Sequence, residues 1–199
     1  DSDPRLEKLR RIRFTSSHPL DFSDELISCY SSDAVSRLAP HLHLPVQSGS
    51  NRVLAKMGRH HKIESYVDQM GRLRALNPDV GLSTDLIVGF PGETEEEFQE
   101  TIRLLDVVQY DSIFAFAYSP RPGTRAAKLV DDVPAEVKND RLNRLLRHQL
   151  RISEVRNRRM IGREVEVLVE GEAKRQVMVD KGLAKGRVWT ARTGMNHVV

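Results

Sequence analysis

Two patterns of apolar and polar positions alternate along the first two-thirds of the chain. Short apolar runs, typical of buried strands, are followed by segments in which apolar residues recur every three or four positions, as in amphipathic helices. Repeated strand–helix units favour parallel strands joined by right-handed crossovers. The sequence therefore predicts an α/β fold. The predicted strands are 12–15, 42–46, 82–88 and 112–118, and the predicted helices are 22–30, 51–57, 63–76 and 94–108.

About four such units are too few for a complete eight-fold barrel, which needs about 250 residues. We therefore expect part of a parallel, TIM-like barrel. Local signals support two of the helix boundaries. Asn77-Pro78 can end the third helix, because a proline disfavours helical backbone in the residue before it, and Thr94 with Glu97 forms a capping box at the start of the fourth.

Residues 134–160 predict a long helix with two different sides. Four leucines cluster on the side that we expect to face the core: Leu142, Leu145, Leu146 and Leu150. Four arginines fall within an arc of roughly 60° on the opposite side, at 100° per residue: Arg144, Arg147, Arg151 and Arg158.

After Gly162 the pattern changes to strict alternation of polar and apolar residues. Strand-like runs at 163–170, 176–179 and 187–191, separated by glycines, predict a small antiparallel β module. We therefore expect two domains, a partial barrel with its connecting helix over 1–160 and the β module over 161–199.

The net charge of +3 is unevenly distributed along the 199 residues. Residues 1–133 hold 16 Lys and Arg against 20 Asp and Glu, whereas 134–199 hold 15 against 8. The basic C-terminal third suggests an anionic partner, nucleic acid first, with a solvated basic surface as the equally weighted alternative. No apolar run approaches the roughly 20 residues of a membrane span and no signal peptide is evident, so we expect a cytoplasmic protein.

Three polar residues lie at or near the ends of predicted strands, where parallel α/β folds bind ligands. Gln47 ends the second strand, Asp85 lies within an apolar strand, and Arg59 follows a predicted helix end. A buried carboxylate needs a partner, and an arginine can clamp a carboxylate with two hydrogen bonds. The alternatives are a structural hydrogen bond for Asp85 and an ordinary surface position for Arg59.

Other candidate chemistry is weaker. The turn 89–92 resembles a phosphate cradle but lacks the lysine and glycine spacing of known phosphate loops, so it can instead be a turn that lets a flat ligand approach the backbone. We reject a metal site because no further ligand lies at suitable spacing from the histidines: His41, His43, His60 and His61. The single cysteine, Cys29, excludes an internal disulfide and is expected to be a packed thiol.

Several long motifs resemble one family. "RIRFTSSHPLDFSDELI", "HLHLPVQSGSNRVLAKMGR", "STDLIVGFPGETEEEF" and "FAYSPRPGT" are similar to the methylthiotransferase branch of the radical S-adenosylmethionine (SAM) enzymes, and within it to the MiaB-type tRNA enzymes. "VEVLVEGEAKR" and "WTARTGMNHVV" resemble parts of the TRAM domain, a small RNA-binding β-barrel. The motifs "PVQSGS" and "RFTSSHP" favour this type over the ribosomal-protein and threonylcarbamoyladenosine branches, which stay as alternatives.

The resemblance implies methylthiolation of carbon 2 of an isopentenylated adenosine next to the tRNA anticodon. It implies SAM as cofactor and two 4Fe-4S clusters in the full-length protein. The positions that it assigns to SAM binding are Gln47, Ser48, Arg59, Asp85, Ile87, Val88, Ala117 and Tyr118. On this reading "QSGS" is kept small so that the nucleoside can approach the backbone. No residue is assigned as a catalytic acid or base.

One departure from the family is decisive. The CxxxCxxC cluster motif is absent, and one cysteine cannot hold a 4Fe-4S cluster. The chain therefore resembles the later part of the barrel plus a truncated TRAM domain, and we expect no turnover from it alone. An exposed sheet edge would also favour a dimer or a strand-swapped assembly.

The expected partners are the tRNA anticodon stem-loop and, for the full-length enzyme, a reductant such as flavodoxin or ferredoxin. We expect no membrane partner. The predicted RNA-binding residues are Arg144, Arg147, Arg151, Arg158, Lys174, Arg175, Arg187 and Arg192. Two other classes stay open: a non-catalytic RNA-binding module, and a metabolic barrel enzyme whose phosphate substrate would engage the turn 89–92.

Overall fold

Three parallel strands form the central sheet of the chain, whose computed structural model describes residues 4–13, 15, 18–31, 37–173 and 187–199. The strands are β1 (His41–His43), β2 (Gly81–Val88) and β3 (Ser112–Ala117), in the order β1-β2-β3. In the register, Asp85 pairs with Phe114 and Ile87 with Phe116. The predicted α/β class and parallel strands are confirmed.

In the described ranges, five α-helices accompany the strands. The helices predicted over 63–76 and 94–108 are confirmed to within one residue. The first of them ends just before Asn77-Pro78, and the second begins at the capping box. Thr94 Oγ1 accepts a hydrogen bond from the Glu97 amide (3.3 Å), and Glu97 Oε2 accepts one from the Thr94 amide (2.9 Å). The helices are α1 (Asp24–Ser28), α2 (Asn51–Lys56), α3 (Ile63–Leu76), α4 (Glu95–Val108) and α5 (Ala135–Arg158).

The first predicted strand has a different form. Ile12 makes an isolated parallel bridge with Leu38, and Thr15 makes one with His43. The described part of this segment therefore lies beside β1 without forming a regular strand. Phe14 lies outside the described residues.

The sheet has one covered face and one open face. Leu82, Leu86 and Val88 of β2 point to the covered face and are at most 1% exposed. They belong to a core that also contains Tyr66 of α3 and Phe98 of α4. The opposite face, which carries Asp85 and Ile87, is not covered in this way.

Helix α5 packs on the sheet with a side that differs from the prediction. Leu145 is fully buried, but Leu146 and Leu150 are 43% and 68% exposed. The expectation that all four leucines face the core is wrong, because the buried side of α5 is partly polar. The buried residues of this side are Lys138, Arg141, Leu145, Gln149 and Ile152.

Beyond α5, strands β4 (Val167–Glu172) and β5 (Trp189–Thr193) pair antiparallel. They correspond to two of the three predicted strands of the β module, and the third, 176–179, lies outside the described residues. Arg163 forms an ion pair with Asp79, and the Thr193 carbonyl accepts a hydrogen bond from Arg13. The division into two domains near residue 160 stays a prediction. Within the described ranges, no helix is long and apolar enough to cross a membrane.

Candidate functional site

Gln47 is fixed at the carboxyl end of the β1 segment in an unusual conformation. Its backbone φ of 76° is in the left-handed region, which residues other than glycine rarely adopt. The Gln47 amide donates to the Asp85 carbonyl, and the Gln47 carbonyl accepts from the Ile87 amide, each at 2.9 Å. The backbone is therefore held to β2 on both sides.

The small residues after Gln47 face α4. A Cβ on Gly49 would lie 2.5 Å from the Cα of Thr101, and the Gly49 amide donates to Thr101 Oγ1 (2.9 Å). Ser48 is fully buried, and Ser50 caps α2 and donates to Glu97 Oε1 (3.1 Å). The expectation that "QSGS" is small for a ligand is therefore wrong for Gly49, because the close packing of α4 requires its size. For Ser48 and Ser50 it stays a prediction.

Asp85 lies on the open face of the sheet. Its side chain is 31% exposed, and Oδ1 lies 3.4 Å from Nε2 of His43 on β1. Asp85 is therefore neither fully buried nor paired with an arginine. Its partner is a histidine on the neighbouring strand.

Arg59 approaches the same region from the end of α2. The helix ends at Met57, Gly58 adopts a φ of 75°, and the Arg59 amide donates to the Leu54 carbonyl (2.9 Å). This tight helix end turns the chain so that Arg59 lines a cavity together with Gln47 and Asp85.

That cavity has a volume of about 740 Å³, within the range usual for small-molecule sites. It contains six of the eight residues predicted to bind SAM: Gln47, Arg59, Asp85, Ile87, Ala117 and Tyr118. The structure places the other two elsewhere. The side chains of Ser48 and Val88 are fully buried outside the cavity, Val88 because it points to the covered face.

Two aromatic residues that were not predicted, Phe90 and Phe116, also line the cavity, and Lys138 lies near its wall. Phe90 packs edge-on against Tyr118 with ring centroids 5.0 Å apart, and the Lys138 ammonium lies 5.3 Å from the centre of the Tyr118 ring. Phe116 of β3 also lines the cavity. The sequence did contain a signal for the position of Phe116, because alternate residues of "SIFAFA" place apolar side chains on both faces of the strand.

The turn 89–92 does not present free amides to a ligand. The Gly89 amide donates to Glu93 Oε2 and the Gly92 amide to Asp132 Oδ1, each at 2.6 Å. Glu93 is also paired with Arg141 (2.9 Å), and both side chains are at most 5% exposed. Burial raises the pKa of Glu93, although the Gly89 amide and Arg141 oppose this. The phosphate-cradle reading is therefore contradicted, because carboxylates of the chain occupy these two amides.

The predicted RNA-binding residues do not form one free surface. Arg144 pairs with Glu95 and lies over the Phe98 ring, and Arg158 pairs with Glu154 on α5 itself. On the β module, Arg192 pairs with Glu170 and Arg187 lies 3.8 Å from Glu172. Arg147 and Arg151 are exposed on α5. Lys174 and Arg175 lie outside the described residues.

Parallel strands with a ligand-sized cavity at their carboxyl ends define an α/β protein with a candidate ligand site at the place where such folds bind ligands. The chain belongs to the radical SAM superfamily, whose family model matches residues 5–105. This membership confirms the resemblance seen in the sequence.

The chain is also similar to curated proteins of one kind. The chain is 51% identical over 194 residues to the tRNA-2-methylthio-N(6)-dimethylallyladenosine synthase of Francisella philomiragia, covering 98% of this chain and 41% of the relative. It is 45% identical over 195 residues to the synthase of the same name from Acetivibrio thermocellus, covering 98% and 38%. The chain thus spans about two-fifths of the length of these relatives.

Among solved structures, coproporphyrinogen III oxidase (HemN) from Escherichia coli, described as a radical SAM enzyme, is similar to part of the chain. The TM-score is 0.49 and the sequence identity 23%, over 57% of this chain and 27% of that one.

Proposed function

We propose that this chain is the part of a radical SAM tRNA methylthiotransferase that binds SAM. The reaction would be that of the tRNA-2-methylthio-N(6)-dimethylallyladenosine synthases to which the chain is similar. One observation carries the proposal: Gln47, Arg59 and Asp85, which are far apart in the sequence, line one cavity at the carboxyl ends of parallel strands.

The chemistry of the cavity fits SAM. A guanidinium can bind a carboxylate, such as that of the methionyl group, with two hydrogen bonds. Asp85 and Gln47 offer acceptors for ammonium and hydroxyl groups. Ile87, Phe90 and Tyr118 supply apolar and aromatic surface suited to an adenine ring. In this assignment the three polar residues bind and orient SAM, and the apolar residues exclude water around it.

One bound SAM, when reduced, would supply the hydrogen abstraction that the family reaction requires, and a second SAM molecule would supply the methyl group. The donor set of this chain does not fit an iron–sulfur cluster. Cys29 is the single cysteine, and its Sγ donates to the Glu25 carbonyl in α1 (3.3 Å). The cluster ligands would therefore come from residues that this sequence does not contain, and we expect the chain alone to be inactive.

We further propose a tRNA substrate that contacts the basic C-terminal third, in which Arg147 and Arg151 are exposed. Residues 161–199 would act as part of a TRAM domain. The protein would work in the cytoplasm with a flavodoxin or ferredoxin as reductant. The exposed aromatic rings of β3 support association of the chain with a second copy.

Calorimetric titration of this chain with S-adenosylhomocysteine tests the cavity. We expect saturable binding, weakened at least about tenfold by Asp85→Asn, because an amide lacks the charge that favours a donor group. Asp68→Asn is the matched control, since Asp68 is an exposed carboxylate on α3 paired only with Arg72, in the next turn of that helix.

Two results would overturn the proposal: a folded wild-type chain that does not bind, or equal binding by wild type and Asp85→Asn. Salt-dependent tRNA binding without any S-adenosylhomocysteine binding would favour the non-catalytic RNA-binding alternative instead.

A further inference from the structure

A row of polar side chains crosses the open face between β1 and β2. His41 Nε2 lies 3.1 Å from Ser83 Oγ, and the same oxygen lies 3.0 Å from His43 Nδ1. His43 Nε2 in turn lies 3.4 Å from Asp85 Oδ1. Four side chains of two strands are thus connected end to end, and the last of them lines the cavity.

The ion-pair contact between His43 Nε2 and Asp85 Oδ1 suggests an order of donors and acceptors along the row. A carboxylate ion can only accept, so a proton on Nε2 of His43 is the tautomer that suits this contact. In neutral His43, Nδ1 is then an acceptor, and Ser83 donates its hydroxyl proton to it. Ser83 Oγ consequently accepts from Nε2 of His41. Burial lowers the pKa of His41 to about 4, so that this ring is neutral at pH 7, as the series requires.

His43 is also held by packing. Its ring meets Phe114 edge-on, with centroids 5.7 Å apart and an interplanar angle of 77°. Ser83, Asp85 and Phe114 therefore contact the imidazole on different sides. A ring fixed in this way can restrict the rotation of the carboxylate that it contacts.

We infer that His43 is a positioning residue for Asp85. It holds Oδ1, so that the other carboxylate oxygen, Oδ2, is left for a hydrogen-bond donor of the ligand in the cavity. Among the described residues, Oδ2 makes no hydrogen bond. This inference rests on the proposed function, because the ligand that would use Oδ2 is SAM.

The sharpest test uses two substitutions of one residue. The side-chain amide of Gln can reach the place of Nε2 and donate to Asp85, whereas that of Asn reaches only the place of Nδ1. We expect His43→Asn to weaken S-adenosylhomocysteine binding about tenfold, and His43→Gln to restore binding to within about threefold of wild type.

A second His–Asp pair provides the matched control. His148 Nε2 contacts Asp106 Oδ1 at 2.6 Å, on helices outside the cavity. His148→Asn removes the same kind of contact and is expected to leave binding unchanged. Thermal melting of each variant verifies that it is folded.

A separate readout does not depend on ligand binding. In ¹⁵N-histidine NMR spectra at pH 7, His41 and His43 should both show the proton on Nε2. Ser83→Ala should lower that preference for His43, because the donor to Nδ1 is lost. A proton on Nδ1 of His43 in the wild-type chain would contradict the inference.

The two proposals can fail separately. If the wild type binds, Asp85→Asn does not, and His43→Asn binds as the wild type does, the positioning role is overturned and the proposed function stands. If the wild type does not bind S-adenosylhomocysteine, the proposed function is overturned together with the role of Oδ2 in it. The histidine tautomers measured by NMR then still show whether the row of polar contacts exists.

Discussion

The two faces of the parallel sheet carry different kinds of information. The covered face is apolar and fully buried, and Leu82, Leu86 and Val88 of β2 contact helices on it. On the open face, Asp85 lies beside His43, and Phe114 of β3 is 54% exposed. The comparison shows that one strand can supply buried apolar contacts with one set of alternate residues and partly exposed polar groups with the other.

The largest expected effect on stability is at the ion pair that follows the end of β2. Arg141 of α5 pairs with Glu93, and both side chains are buried. Arg141→Met keeps the apolar stem but leaves the buried carboxylate of Glu93 without its ion-pair partner, which should lower the free energy of unfolding by roughly 3–5 kcal/mol. Urea denaturation followed by circular dichroism measures this.

Adding Glu93→Gln to Arg141→Met should recover most of that loss, since the amide can still accept from Gly89. The loss should also grow from pH 5 to pH 8. The pKa of Glu93 is already raised in the folded state, and without Arg141 it rises further. At high pH the carboxyl group ionises more readily in the unfolded chain than in the folded one, and this lowers the free energy of unfolding. A deficit that does not change with pH would contradict this account.

The second prediction compares how much a substitution on each face of the sheet lowers the free energy of unfolding. Leu86→Ala removes a fully buried side chain and should cost roughly 3 kcal/mol, because a cavity remains. Phe114→Ala should cost about 1 kcal/mol or less, since that ring is half exposed. Equal costs in the same denaturation assay would show that the open face is covered in solution.

Two buried histidines make stability depend on pH. His41 is on the open face and His61 is beside the core residue Tyr66, and burial lowers the pKa of each to about 4. The unfolded chain takes up these protons near pH 6.5 and the folded chain does not. Stability should therefore fall as the pH drops from 6.5 to 4, by up to roughly 3 kcal/mol for each histidine.

Denaturation midpoints between pH 4 and pH 7 measure this loss. His61→Leu and His41→Gln should each remove about half of the pH dependence. If neither variant changes the slope, the histidines are not the groups responsible.

Elements with local signals could be predicted from the sequence. α3 ends where Pro78 indicates, and α4 begins at the Thr94–Glu97 capping box. The buried side of α5 could not be predicted in this way. Lys138 and Arg141 lie on it because Asp131 and Glu93, from other segments, satisfy their charges.

The candidate site shows the same limit. The positions of strand ends in the sequence led to Gln47 and Asp85, which line one cavity, because that inference needs only the order of the elements. Which side a residue such as Val88 faces depends on the register between strands, and the small size of Gly49 depends on α4, some fifty residues further along. The contact of His43 with Asp85 likewise exists only in the folded sheet.

The left-handed backbone at Gln47 has an evolutionary consequence. A side chain in that conformation costs about 1–2 kcal/mol relative to glycine, which adopts it freely. Variants selected only for heat resistance would be expected to accumulate glycine at this codon. Under the proposed function, variants selected for ligand binding would keep the amide, so that two selection pressures would act on residue 47 in opposite directions.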